Sequence, residues 1–290
     1  MTTAQNLEGK TTFNELIISV VVHTWDADDI ENCLKSLNTA IEDATTKRHI
    51  GKSTLHLMYN GNEHLDLHIT ELFVHSHYKQ PVNLKLNCEN KGYGGTNNTT
   101  IRQEVTIPTR EKCLIVMNSD LILDKLSISH ACELLSSSEK PGLVAPMLLS
   151  LDGTEQVYGN KRYPNICTLL ARLFPMLLRL KFFENLNTLY EYRSDQDKNL
   201  KMVQICSGSF LLATHEFWFK LGGFNEDFFM YFEDFDLSIR ANKLGCEHLY
   251  NANVKIKHKG GETGKKPLYH KWLFIQSAFK FFNRHGWKWY

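Results

Sequence analysis

Seven consecutive residues, Leu16-Ile17-Ile18-Ser19-Val20-Val21-Val22, set the first limit on how this chain can fold. Only Ser19 is polar, and five of the seven are β-branched. The run is short for a helix buried on all sides and lacks the alternation of a strand with one wet face. It fits a strand covered on both faces, the environment of a parallel sheet. After His23-Thr24-Trp25-Asp26, residues 28–40 have helical periodicity with Ile30, Cys33, Leu34 and Leu37 inward. Residues 53–59 then predict a second strand, ending at Asn60-Gly61-Asn62. This β-α-β pattern implies an α/β fold, in which ligands bind outside the carboxyl ends of the strands. His23, Thr24, Trp25, Asp26, Tyr59 and Asn60 are therefore candidate lining residues, although turn chemistry alone also accounts for Asn-Gly.

The pattern repeats. A strand over 82–86 leads into Asn90-Lys91-Gly92-Tyr93-Gly94-Gly95-Thr96-Asn97-Asn98, whose glycines would let backbone approach a ligand. A helix starting near Thr96 would offer free N–H groups to phosphate. The segment is neither GxGxxG nor a Walker loop, since no GK[ST] follows. A strand over 112–117 ends in Asn118-Ser119-Asp120, and a lone carboxylate at a strand end suits a hard divalent cation. An Asx turn is the plainer account. A helix over 127–136 and a strand over 142–146 follow. Residues 166–183 are apolar apart from Arg172, Arg179 and Lys181, with the two arginines on one helical face. They predict either an amphipathic segment at a membrane surface or acceptor groove, or a core helix with two exposed arginines.

Further on, 202–213 is strand-like, and 216–221 is a short helix closed by Gly222-Gly223. Next, Glu226-Asp227-Phe228-Phe229-Met230-Tyr231-Phe232-Glu233-Asp234-Phe235-Asp236 sets acids among aromatics. Carboxylates beside buried aromatics suit a general base of tuned pKa. The same residues suit the acidic first turn of a helix over 234–243, with Asp236 and Arg240 as an i,i+4 pair and Gly245 as the stop. A strand over 248–256 leads to His258 and a basic, Gly-rich loop through Lys265 and Lys266, fit to close over a diphosphate. Residues 269–290 predict an aromatic and basic helix for a membrane interface or for docking on the core.

Composition narrows the function. With 290 residues the chain suits one elaborated domain plus an extension, and a net charge of +1 argues against bulk nucleic-acid binding. Seven scattered cysteines without a CxxC argue against a disulfide framework or zinc site and for a reducing cytoplasm. Residues 1–14 are polar, with no signal-peptide core, and no run of about 18 apolar residues predicts a spanning helix.

The order of these signals resembles the family 2 glycosyltransferases with the GT-A fold, over residues 15–265, and within them the bacterial rhamnosyltransferase-like branch. Three segments carry the match: residues 90–98; Asn118-Ser119-Asp120; and Gly222-Gly223-Phe224-Asn225-Glu226 with Tyr231-Phe232-Glu233-Asp234-Phe235-Asp236-Leu237. The resemblance implies a mostly parallel, Rossmann-like sheet flanked by helices, after a flexible 1–14 and before a C-terminal amphipathic helix at 266–290. It implies that Asp120 holds Mg2+ or Mn2+, that His258 completes the metal shell, and that Asp234 is the catalytic base. Glu233 or Asp236 beside it would raise its pKa by repulsion. Asn90, Gly92, Tyr93, Gly94, Asn97, Asn118, Ser119 and Lys265 would bind the nucleotide sugar, with His23, Thr24, Asp26 and Asn60 around base and ribose. The implied reaction is inverting transfer, with L-rhamnose from dTDP-rhamnose first and UDP-hexoses or UDP-galactofuranose behind. The implied acceptor is a saccharide of a bacterial surface polysaccharide, lipid-linked and met at the cytoplasmic face of the inner membrane. Two positions depart from the pattern: Tyr59 stands for the usual aspartate before Asn-Gly, and Asn118 for the first metal-motif acid. A sugar nucleotidyltransferase and a non-catalytic glycan-binding module are the rival readings.

Overall fold

The structure, a computed structural model, describes residues 11–156, 159–193, 200–260 and 268–290. Its first unit is β1 (Phe13–Val22), α1 (Ala27–Thr46) and β2 (Ile50–Tyr59). β1 and β2 are parallel, with Val20 opposite Leu57 and Val22 opposite Tyr59. α1 runs past residue 40 because Ile41 and Ala44 extend its buried stripe. Asp26 caps it, accepting from the Asp29 N–H at 3.1 Å. α2 (Leu67–His77) was not foreseen. Of its residues only Thr70 and Val74 are buried, so its exposed Leu67, Ile69 and Leu72 blur the periodicity that would have marked it.

β3 (Val82–Lys85), α3 (Gly92–Glu104) and β4 (Lys112–Asn118) complete a parallel half-sheet in the order β3-β2-β1-β4. The chain continues as β5 (Leu121–Leu123), α4 (Ser127–Ser137), β6 (Pro141–Leu149), β7 (Asn160–Lys161), α5 (Ile166–Leu173), a 3-10 turn (Pro175–Arg179) and α6 (Lys181–Tyr190). Then come β8 (Leu200–Met202), β9 (Ile205–Cys206), β10 (Phe210–Thr214), α7 (His215–Leu221), α8 (Glu233–Lys243), β11 (Glu247–His258) and α9 (Leu268–His285). The sheet reads β3-β2-β1-β4-β10-β6-β11-β5, with β8 on β11 and a separate β7–β9 ribbon.

The second half of the sheet is mixed. β10 lies antiparallel between β4 and β6, and β5 is antiparallel to β11. This reversal positions the site. Because β10 runs against β4, its leading Ser207-Gly208-Ser209 arrives at the carboxyl end of β4, where the Asn118 N–H donates to the Ser209 carbonyl at 2.9 Å. Two apolar clusters cover the sheet, one including α1 and α4 residues and one including α7 and α8 residues. A third joins Phe228, Phe232, Phe235 and Ile239 to Phe281 and Phe282 of α9. The C-terminal helix thus docks on the core through one face, and its other face remains exposed.

Candidate active site

The turn before α8 carries two successive bulky residues in left-handed backbone, Tyr231 (φ 68°) and Phe232 (φ 65°). Such geometry costs on the order of 1–3 kcal/mol per residue and persists only where surroundings over-determine it. α9 does so here. Phe232 packs on Phe274 and Phe281 with ring centroids 5.1 and 5.4 Å away. Tyr231 pairs its hydroxyl with His270 at 3.1 Å, and Ser277 donates to the Met230 carbonyl at 2.8 Å. The helix consequently starts with Glu233 and Asp234 in its first turn.

Both oxygens of Asp234 are oriented by backbone. Oδ2 accepts from the Gly208 N–H at 2.8 Å and Oδ1 from the Phe235 N–H at 2.9 Å. Burial nevertheless raises its pKa, while Lys161 and the two amides oppose the rise. Glu233 is pushed up to about 8, first by burial and then by the charge of Asp234. Its Oε2 is buried without a hydrogen-bond partner among the described residues. The expected repulsion therefore runs the other way: Asp234 keeps Glu233 protonated. Asp236 has no part in this. It is fully buried, 2.7 Å from Arg240 and 2.8 Å from His285, and burial is outweighed so that its carboxyl lies below the ordinary value.

A cavity of about 290 Å³ has Glu233 and Asp234 on its wall together with Tyr93, Asn118, Ser207, Gly208 and His258. Next to it, Asp120 Oδ2 lies 3.4 Å from His258 Nε2 and accepts from the Gly260 N–H at 3.1 Å. Burial works against ionisation of Asp120, but His258 and the backbone amides hold its carboxyl below the usual value. Among the described residues no cluster of three or more His, Cys, Asp or Glu forms. Asp120 and His258 are the two candidate donors that lie together here. That fits a cation whose remaining positions are filled by substrate phosphates and water.

The strand ends of the parallel half gather other candidates. Asn60 Nδ2 donates to Thr96 Oγ1 at 3.0 Å, and its Oδ1 lies 3.4 Å from His23 Nδ1. Asn90, also within 3.5 Å of Asn60, accepts from the Gly92 N–H at 3.0 Å. His23, Thr24 and Asn90 are exposed, and Ser119 is half-buried. Asp26 is drawn into an ion pair with Lys259, whose ammonium also bonds Asp29 at 2.8 Å. Tyr59 is buried, its hydroxyl accepting from the Glu63 N–H at 3.2 Å. Lys265 lies outside the described residues.

The Gly-rich segment is corrected. α3 starts at Gly92 rather than near Thr96, because Gly92 takes φ +73° and a Cβ there would stand 1.9 Å from the Phe229 carbonyl oxygen. At Gly94 a Cβ would meet Phe224 at 2.8 Å. These glycines let α3 close against the segment that leads to the acids. Asn97 is no lining residue. It is 0% exposed and accepts from Ser19 of β1 at 2.7 Å. Tyr93 does face the cavity, bonding its hydroxyl to the Gly208 carbonyl.

Three cavity residues went unmarked in the sequence or were read otherwise. Lys161, only 6% exposed, is brought in by the β7–β9 ribbon, and burial lowers its pKa to about 8. Arg172, on the segment read for a membrane surface, an acceptor groove or an exposed face, lines the cavity and pairs with buried Glu191 at 3.2 Å beside Tyr190. Tyr190 closes that wall. No local pattern marks them, since they converge from β7, α5 and α6. Gly208 could have been noticed, because small residues just before a buried strand leave an N–H open.

Comparison with known proteins gives two kinds of likeness. The chain is 29% identical over 215 residues to N-acetylglucosaminyl-diphospho-decaprenol L-rhamnosyltransferase of Mycobacterium tuberculosis, covering 68% of this chain and 66% of that protein. It is 27% identical over 154 residues to the low-salt glycan biosynthesis hexosyltransferase Agl10 of Haloferax volcanii, covering 53% of this chain and 44% of that protein. The chain thus matches about two thirds or less of the length of these relatives. The structure of GalNAc-T7 with UDP, GalNAc and Mn2+ is similar at TM-score 0.62 and 14% identity, over 88% of this chain and 45% of that one. Mannosyltransferase PcManGT from Pyrobaculum calidifontis in complex with GDP-Man and Mn2+ is similar at TM-score 0.57 and 15% identity, over 96% and 66%. No family profile matches the chain. Its homologues and structural neighbours are glycosyltransferases, and its fold is the GT-A fold.

Proposed function

We propose that this chain, a homologue of rhamnosyl- and hexosyltransferases, is an inverting glycosyltransferase that moves a sugar from a nucleoside diphosphate to a lipid-linked saccharide. The observation that carries the reading is the shared cavity: an oriented carboxylate of raised pKa, Asp234, faces the same space as His258 and the end of β4. Asp234 takes the proton of the acceptor hydroxyl as that oxygen bonds the anomeric carbon and the bond to the diphosphate breaks. The amides of Gly208 and Phe235 hold its lone pairs in place for this transfer. Burial and the charge of Asp234 favour the protonated form of Glu233, so Asp234 is the negative charge that faces a transition state of oxocarbenium character. Asp120 and His258 would hold a divalent cation, which supplies electrostatic stabilisation to the departing diphosphate. His23, Asn60 and Asn90 form the base and ribose side.

The M. tuberculosis relative, by its name an L-rhamnosyltransferase of an N-acetylglucosaminyl-diphospho-decaprenol, supports L-rhamnose as the first sugar and a diphospholipid saccharide as acceptor. The hexosyltransferase relative keeps other hexoses as the second choice. dTDP as the first carrier, UDP as the second, and a cell-surface polysaccharide as the product rest on the sequence resemblance alone. Seven cysteines, none in a disulfide, support a cytoplasmic site of action. A thermal-shift panel of nucleotide sugars with and without Mn2+ tests the reading, since a ligand of the folded state raises its apparent stability. dTDP-rhamnose with Mn2+ should raise the Tm, and Asp120→Ala should abolish the metal-dependent part. A donor response indifferent to chelator overturns the Asp120 assignment.

A further inference from the structure

Two stretches of this chain contain no Asp or Glu, residues 166–183 and 268–290, in a sequence whose 33 basic and 32 acidic residues otherwise nearly balance. They carry three and four Lys or Arg respectively; Arg172 pairs inward with Glu191 and Arg284 with Asp227 and Asp236, which leaves Arg179, Lys181, Lys271, Lys280 and Lys288 for the surface. The fold places them side by side. The Ile166 N–H donates to the Lys288 carbonyl at 2.9 Å, and Tyr163 donates to the Gly286 carbonyl at 2.8 Å. Both stretches expose large apolar side chains. On α9, Trp272 (57% exposed), Ile275 and Phe279 (58%) follow helical spacing on the side away from the buried Leu273, Ser277 and Phe281. Phe174, Met176 (70%) and Leu180 stand out from the turn after α5, and Trp289 and Tyr290 from the chain end. Among the described residues no helix is long and apolar enough to cross a membrane.

We propose that α5, the following 3-10 turn, the start of α6, and α9 with its tail form one docking surface for an anionic lipid bilayer. Exposed Trp and Tyr among Lys and Arg suit the headgroup level, where the rings sit at the boundary and the cations meet anionic headgroups. The same charge disfavours a second copy as occupant, because two such faces would set cation against cation. The inner sides of these elements wall the cavity through Leu169, Arg172, Tyr190 and Phe274, so docking sets the acceptor side of the cavity beside the lipid. The lipid-linked acceptor gives the surface its purpose, but the surface itself rests on residues outside the catalytic set.

The test is co-sedimentation of the full chain with phosphatidylcholine vesicles, with and without phosphatidylglycerol, at low and high salt. Binding should require the anionic lipid and weaken with salt. Trp272→Gln with Phe279→Gln should cut it by about tenfold, and Lys181→Glu with Lys271→Glu by about thirtyfold or more, two basic residues at about 1 kcal/mol each. Lys181, Trp272 and Phe279 are exposed, Lys271 is half-buried, and none of the four lines the cavity, so Tm and donor hydrolysis in solution should stay as in the parent. Absence of binding, or binding unchanged in both variants, overturns the proposal, as does a solution dimer that these variants dissociate. Intact donor hydrolysis without vesicle binding sinks the surface alone. Vesicle binding without donor turnover sinks the transferase reading alone.

Discussion

The first turn of α8 has two sides, and they treat the same chemical group in opposite ways. Asp234 faces the cavity and has its pKa raised; Asp236, two residues on, faces the core and has its pKa lowered. Burial pushes both upward. The outcome differs because Asp236 meets Arg240 and His285, with Arg284 at 3.3 Å, whereas Asp234 meets backbone amides and the charge of Lys161. A carboxylate neutralised by close cations is committed to structure. One held by backbone amides beside the field of a single cation, Lys161, keeps a basic oxygen for chemistry.

The largest way to break this contrast is on the cavity side. Asp234→Asn should lower transfer by about 10²- to 10⁴-fold, the range for loss of a general base, with donor affinity unchanged. Single-turnover kinetics beside donor calorimetry measures both. Turnover like the parent's would move the base elsewhere. Next in size is the core side. Asp236→Asn leaves Arg240 and His285 without their counter-charge and should cost about 3–5 kcal/mol of stability, read from urea unfolding. A loss under 1 kcal/mol would show that the cluster is solvated enough to manage without it.

The smallest effect is the sharpest. Glu233→Gln keeps a neutral side chain where the parent already holds a proton, so transfer near neutral pH should stay within about tenfold. The pH dependence of stability should change. For Glu233 the folded value is raised from 4.5 to about 8, so its contribution is full below 4.5 and is lost as pH rises through 8. The variant should flatten that alkaline loss. Asp236 works in the opposite sense. Its folded value lies below 3.8, so its contribution is present above 3.8 and is lost as pH falls through the folded value. Thermal melts across pH on parent and variants would separate the two. An alkaline loss unchanged in Glu233→Gln would mean that Glu233 is ionised at neutral pH.

Much of the frame is legible in residue order. The run 16–22 demands a doubly covered strand, and the structure buries it between two apolar clusters. That Asp120, His258 and Asp234 would gather at one edge was legible because each follows a strand or starts a helix, where α/β geometry exposes side chains. The part played by the glycines at 92 and 94 was not legible, because a glycine needed for close packing and one needed for a ligand look identical in sequence. The positive φ of Tyr231 and Phe232 was invisible, since aromatic residues carry no preference for it.

By itself, then, the sequence determined the α/β frame and the acids at its edge, because strand burial and helix starts are local consequences of side-chain pattern. The tertiary structure added what surrounds each acid. Asp234 and Asp236 differ by the partners that α9 and the β9–β10 connection deliver from far along the chain, and electrostatics at a few ångströms is set by those partners.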